Sequence, residues 1–268
     1  MKIRLAAPIM AAMLLAAGIG PARAETPSAE TRTEQFAKLP YWDGLWLTEG
    51  DVSTIGGFAE AILEARESGG GNPYLKIMKL NGFDAPWSAE GKARYEAERK
   101  VSGHRKADGW GYPMMMNAAA PIQFLITPEE VIVINAYRDV RHIRTDGKGH
   151  PPEDDLWPTV WGDSAGHWEG DTLVVDTIMV KNPNDYFHGA PPLSDQAHYV
   201  ERIRLVDPDT IEDEITIEDP VTLARPWKAT LRFHHAQGFD RMIHDTYDND
   251  RTGFDGESST IEPPKDGE

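Results

Sequence analysis

The stretch Ile211-Glu212-Asp213-Glu214-Ile215-Thr216-Ile217-Glu218 decides the fold. Ile211, Ile215 and Ile217 fall on one side of an extended chain, while Glu212, Glu214, Thr216 and Glu218 fall on the other. A period of two marks a strand with one face on a core and one in water. Residues 227–234 repeat it, with Trp227, Ala229, Leu231 and Phe233 alternating against Lys228, Thr230, Arg232 and His234. Working outward, 122–126, 131–137, 173–180, 198–206 and 241–247 also read as strands. Turn chemistry separates them: Thr127-Pro128, Asp146-Gly147, Gly170-Asp171, Asp207-Pro208-Asp209, Asp219-Pro220 and Gln237-Gly238. Short connections between alternating strands predict a mainly β domain, an antiparallel meander curled into a barrel or half-barrel so that its edges are removed. A lipocalin-like barrel is the nearest architectural analogy.

One or two helices precede the strands. Phe58, Ala61, Ile62 and Ala65 have helical spacing, which Ser68-Gly-Gly-Gly-Asn-Pro73 terminates. A second helix starts after Trp87, with Ser88 as N-cap, Gly91 tolerated near its start and strong helix formers over 92–101.

The first 24 residues read as a secretory signal peptide. Lys2 and Arg4 precede an apolar run from Leu5 to Ile19, and Ala22-Arg23-Ala24 has the small-x-small form of a cleavage site. Residues 25–40 are expected to be a flexible lead-in, 41–252 a single β-rich domain and 253–268 a disordered polar tail. No stretch after the leader is long and apolar enough to span a membrane as a helix. The expected location is the bacterial periplasm or the exterior.

The whole chain has 268 residues, no cysteine and a net charge of −17. Cleavage after Ala24 removes three basic residues and no acid, leaving 244 residues with a charge of −20. Without cysteine there is no disulfide, thiolate metal site or cysteine nucleophile. The acidic balance argues against nucleic acid as a partner. An apolar content of 40%, with eight Trp, eight Tyr and eight Phe, is enough for a core, and a chain this long buries roughly 70% of its unfolded surface. The seven acids between Asp207 and Asp219 read as a solvated face on turns and the outer side of a strand.

Several segments are distinctive: Arg141-His-Ile-Arg-Thr-Asp-Gly-Lys-Gly-His150-Pro151, Trp161-Gly-Asp-Ser-Ala-Gly-His-Trp-Glu-Gly-Asp-Thr-Leu-Val-Val-Asp176-Thr177, His198-Tyr-Val-Glu-Arg202, Asp219-Pro-Val-Thr222 and Arg225-Pro-Trp227. Together they resemble a large family of secreted bacterial proteins that mostly carry no assigned function. The resemblance spans roughly Trp42 to Thr252. It implies a signal peptide and a single β-rich domain, and no particular reaction. Members of that family often carry cysteine before a Gly-x-Pro-x-Met segment and in the last strand. This chain instead has Asp108-Gly109-Trp110-Gly111-Tyr112-Pro113-Met114 and His244-Asp245-Thr246-Tyr247 there.

Polar residues concentrate between Tyr137 and Asp176. His142, His167, His198, His244 and Glu201 are the candidate acids and bases. An imidazole has an ordinary pKa near neutrality, and Glu201 shares the alternation of Tyr199, Ile203 and Leu205, so it points at the core. A core carboxylate must be paired, for instance with Arg138 or Arg225, or else carry a raised pKa suited to acid–base work. Arg138 and Arg202 are candidate anion partners, and Trp161 and Trp168 candidate walls of a substrate pocket. Ser164 has the letters Gly162-x-Ser164-x-Gly166 but lacks the strand-to-helix context of a nucleophile elbow. His150 follows the Asp146-Gly147 turn and reads first as an ordered-loop residue.

No phosphate loop, dinucleotide fingerprint or haem motif is present, so no organic cofactor is expected. No zincin spacing occurs; three histidines and a carboxylate leave a divalent metal as the remaining metal option. The expected activity is cofactor-independent acid–base chemistry on a small organic substrate, of lyase, isomerase or hydrolase type. The alternative is a non-catalytic, lipocalin-like carrier of an apolar or aromatic small molecule. The oligomeric state stays open.

Overall fold

A computed structural model describes residues 29–49, 79–80, 82–98, 111–117, 121–137, 139–181, 191–238, 241–242, 252–254 and 259–261. The expected signal peptide, the expected helix at 58–66, Arg138, His244 and most of the expected strand at 241–247 lie outside these residues.

Nine strands form a closed barrel in chain order: β1 (Trp46–Thr48), β2 (Ile122–Ile126), β3 (Glu130–Asn135), β4 (Val140–Arg144), β5 (Asp163–Glu169), β6 (Thr172–Ile178), β7 (His198–Asp207), β8 (Thr210–Glu218) and β9 (Trp227–His235). The mainly β, barrel-forming reading holds. Neighbours pair antiparallel, with one exception. β4 and β5 run parallel, with Ile143 opposite Ser164 and Arg144 opposite Ala165. A parallel pair needs a crossover, because the chain must return to its starting end. Residues 145–162 make that return. β1 closes the ring by pairing with β9 over three residues and with β2 through Trp46 and Ile122.

Alternation puts one face of every strand inside. β6 sends in Leu173, Val175 and Thr177; β7 sends in Tyr199, Glu201 and Ile203; β8 sends in Ile211, Asp213, Ile215 and Ile217. Asp213 therefore leaves the solvated acidic face to which the composition of 207–219 assigned it. Glu212 and Asp219 are also buried. Arg204 and Arg232 cover Glu212 on the outer wall. Asp219 accepts from the Ser194 amide and hydroxyl at 2.7 and 2.8 Å and from the Val221 amide at 2.9 Å. Burial works to raise its carboxyl, but these donors outweigh it and hold the pKa below the ordinary value.

The segment Gly111–Asn117 enters at the end where β7 and β9 begin. Tyr112 donates its amide to the Val160 carbonyl at 2.9 Å, and its ring meets Tyr199 edge-on. Met114, Met115, Met116 and Asn117 follow as a buried 3-10 turn. The same end is covered by α2 (Ala89–Glu98), which comes after α1 (Ala29–Phe36) in the lead-in. Ser88 caps α2 as expected: its hydroxyl accepts the Gly91 amide at 3.0 Å. At the opposite end Trp42 packs edge-on against Phe124 and Trp168. Where a polar tail was expected, β10 (Thr252–Phe254) and β11 (Ser259–Ile261) pair antiparallel. Among the described residues no helix is long and apolar enough to cross a membrane.

Candidate functional site

Three of the distinctive segments, 141–151, 161–177 and 198–202, fall on one stretch of wall, β4 to β7, and alternation divides their polar residues between its two sides. Asp163 and Ser164 are consecutive, as are Asp176 and Thr177. The aspartates point outward and the hydroxyls inward.

Inside, Arg141 of β4 spans the barrel to Glu201 of β7. Nη1 donates to Oε1 at 3.0 Å and Nη2 to Oε2, and neither side chain has any exposure. Arg141 also donates to Thr177 Oγ1 at 3.0 Å and to Ser164 Oγ at 3.3 Å. Its guanidinium carbon lies 4.0 Å from the centroid of the Tyr112 ring. Burial works against the charge of Arg141, but the Glu201 carboxylate outweighs it and holds the group more firmly protonated than usual. Burial, followed by the Glu201 charge, pushes the Tyr112 phenol well above its ordinary range.

Outside, a chain of alternating groups runs along the wall. Arg144 grips Asp163 with both terminal nitrogens, at 2.8 and 2.6 Å. His150, on the crossover, bonds Asp163 through Nδ1 at 2.5 Å and Asp176 through Nε2 at 3.0 Å. A ring bonded to two carboxylates donates from both nitrogens. The second oxygen of Asp176 accepts from His198 Nε2 at 2.8 Å. Burial works to raise Asp163, and the bonds from Arg144 and His150 outweigh it, so its carboxyl stays below the ordinary value. The array pins the crossover to the barrel and presents His198, 38% exposed, at its outer end.

Among the described residues, which leave out His244, the expected acids and bases are not gathered at a barrel mouth. His142 is 61% exposed on the outer face, against Glu130 at 2.9 Å. His167 is 63% exposed, 3.4 Å from Glu169, which also takes Arg202 Nη2 at 2.8 Å. Arg202 thus serves an outer-wall pair. Trp161 and Trp168 are partly buried and pack against the core. Glu201 is inside as expected and pairs with Arg141; Arg225 is exposed, and Arg138 lies outside the described residues. Ser164 lies within a strand as an acceptor for Arg141, which rules out an elbow. Of the expected residues that are described, only His198 belongs to the outer array. Its other members are His150, which the sequence reads first as an ordered-loop residue, and Arg144, Asp163 and Asp176, which the sequence reading does not single out. Strand parity places Asp176 and His198 on the outer face, since they alternate with Thr177 and Tyr199, but it carries no signal for His150 on the crossover.

Among the described residues no group of three or more His, Cys, Asp or Glu is arranged to hold a metal ion. Comparison with known proteins returns no matching family, no matching curated protein and no matching solved structure.

Proposed function

We propose that the chain is a secreted or periplasmic enzyme that performs acid–base chemistry on a small organic molecule, of lyase, isomerase or hydrolase type, with His198 as the working base. The observation that carries this reading is the 2.8 Å bond from His198 Nε2 to an aspartate that is itself braced from behind by His150. A carboxylate that accepts one ring N–H fixes the tautomer and leaves the other nitrogen, Nδ1, to take a proton. Asp176 orients His198; His150, Asp163 and Arg144 keep Asp176 in place. The site uses the chain's own side chains and calls on no organic cofactor. The leader sequence and the resemblance to secreted bacterial proteins support the location.

Carriage of an apolar or aromatic ligand inside the barrel has less support. Trp46, Tyr112, Met114, Met115, Tyr199 and Phe233 fill the interior and show almost no accessible surface.

The test is untargeted. Wild-type protein and His198→Gln are each incubated with pooled small organic metabolites, and consumption is followed by mass spectrometry. Wild type should consume a component that the variant leaves intact, by at least about 100-fold in rate, as expected for loss of a general base. Melting temperatures should agree. Equal consumption by both proteins, or none by either, refutes the reading.

A further inference from the structure

One buried acid has no role in the outer site. Asp213 lies inside the barrel on β8, without exposure, between Ile203 on β7 and Leu231 on β9. Neither of its oxygens has a donor within reach among the described residues. The polar group beside it is Glu201, one step diagonally across the β7–β8 pair, where Glu201 is opposite Ile215 and Ile203 opposite Asp213. Both Glu201 oxygens already accept from Arg141. An ionised Asp213 would set a second negative charge against the single guanidinium, with no hydrogen bond of its own in a medium that punishes unpaired charge. A neutral carboxylic acid can instead donate its O–H to Glu201.

We propose that Asp213 is a neutral acid hydrogen-bonded to Glu201, and that its proton is the catch that keeps the Gly111–Asn117 segment seated in the barrel. Burial, then the Glu201 charge, raises the Asp213 carboxyl well above its ordinary value, in line with the geometry. The segment bears on this cluster through Tyr112, whose ring covers Arg141 and whose hydroxyl is buried without a partner among the described residues. The charged and titratable groups facing Asp213 are Glu201 on β7, Arg141 on β4 and Tyr112 on the segment; Tyr199 flanks Tyr112, and Glu214 is the outward neighbour on β8. While Asp213 is protonated, Arg141 and Glu201 balance. Once the proton leaves, two carboxylates compete for one cation directly under Tyr112, and the segment loses the neutral, dry floor on which it rests. Alkali would then open the end of the barrel that the segment closes.

Two measurements on the full mature chain test this. Infrared difference spectra at neutral pH should show the carbonyl stretch of a neutral carboxylic acid in wild type and its loss in Asp213→Asn, whose amide can still donate to Glu201. The methyl resonances of 13C-labelled Met114, Met115 and Met116 should shift towards solvent-exposed values as pH rises in wild type, and hold their positions over the same range in Asp213→Asn. Absence of the carboxylic band overturns the proposal. So does a methyl response that is the same in both proteins, or none in wild type below the pH of global unfolding.

Discussion

Arg141 and Glu201 meet across the barrel interior as a two-pronged ion pair with no exposure on either side. Taking both charges out of water costs several kcal/mol, and their attraction returns that only because Ser164, Thr177 and the Tyr112 ring complete the guanidinium's surroundings. Losing one partner should therefore cost more than losing both. In an Asp213→Asn background, which removes the other carboxylate near Arg141, Glu201→Leu should destabilise the fold by about 3–5 kcal/mol, because it strands a buried cation. In the same background the double variant Arg141→Met, Glu201→Leu should recover much of that loss. Urea unfolding of both proteins decides it; a double variant no more stable than the single one would show that the pair supplies net stability.

Gly91 is the third residue of α2, where an alanine would ordinarily help a helix by about 1 kcal/mol. Here the sign should reverse. A Cβ at this position would stand 2.0 Å from the Thr222 carbonyl oxygen and 2.9 Å from the Trp87 ring. That carbonyl also accepts the Ser88 amide at 2.9 Å, so helix and loop cannot part without losing the bond. Gly91→Ala should lower stability by about 1–3 kcal/mol, the usual range for overpacking. An unchanged or raised melting temperature would mean that α2 shifts freely on the 219–222 loop.

These two sites differ in how far the sequence exposes them. The barrel was legible because β9 alternates apolar and polar residues over 227–234 and β6 to β8 do so at most positions, and the same parity placed Glu201 inside. β5 was not legible: its inward residues are Ser164, Gly166 and Trp168, and the first two carry no hydrophobic signal. β4 was hidden for a related reason, since Arg141 occupies one of its two inward positions. Without β4 and β5 as strands, the crossover could not be foreseen, nor the array that His150 builds on it. Asp213 obeys the parity that revealed Glu201, yet it was grouped with its acidic neighbours by composition. Contact across the crossover is a tertiary fact: His150 is 13 residues from Asp163 and 26 from Asp176. No local period encodes such distances.

The outer array should make stability depend on acid. The Asp163 carboxyl lies below its ordinary value in the folded protein, so the stability it contributes is fully present above the unfolded pKa of about 3.9 and is lost as pH falls through the lower folded value. Asp163→Asn should cost about 1.5–3 kcal/mol at neutral pH, the range for a hydrogen bond to a charged group. The gap between the two proteins should close as pH drops below about 4. Limited proteolysis adds a spatial check: cleavage of the variant should begin in the 145–162 crossover, since the salt bridge and the His150 bond are lost together. A stability gap that is constant from neutral pH down to acid would show that Asp163 acts through packing alone.

Asp213 should behave in the opposite sense. Its folded pKa is raised, so below about pH 4, where the unfolded chain is protonated too, it has no effect on the balance. Above that point the unfolded chain releases this proton and the folded barrel keeps it, so the side chain costs stability that grows by up to about 1.4 kcal/mol per pH unit until the folded value is reached. Asparagine has nearly the same shape, stays neutral and can donate to Glu201. Asp213→Asn should therefore match wild type near pH 4 and become progressively more stable than wild type towards neutrality. The slope is the diagnostic, because a change in packing would displace the whole stability curve by a constant amount. Chemical denaturation at several pH values measures it. If the difference between the two proteins is flat over that range, Asp213 is ionised in the folded barrel and its interior carries a second buried negative charge.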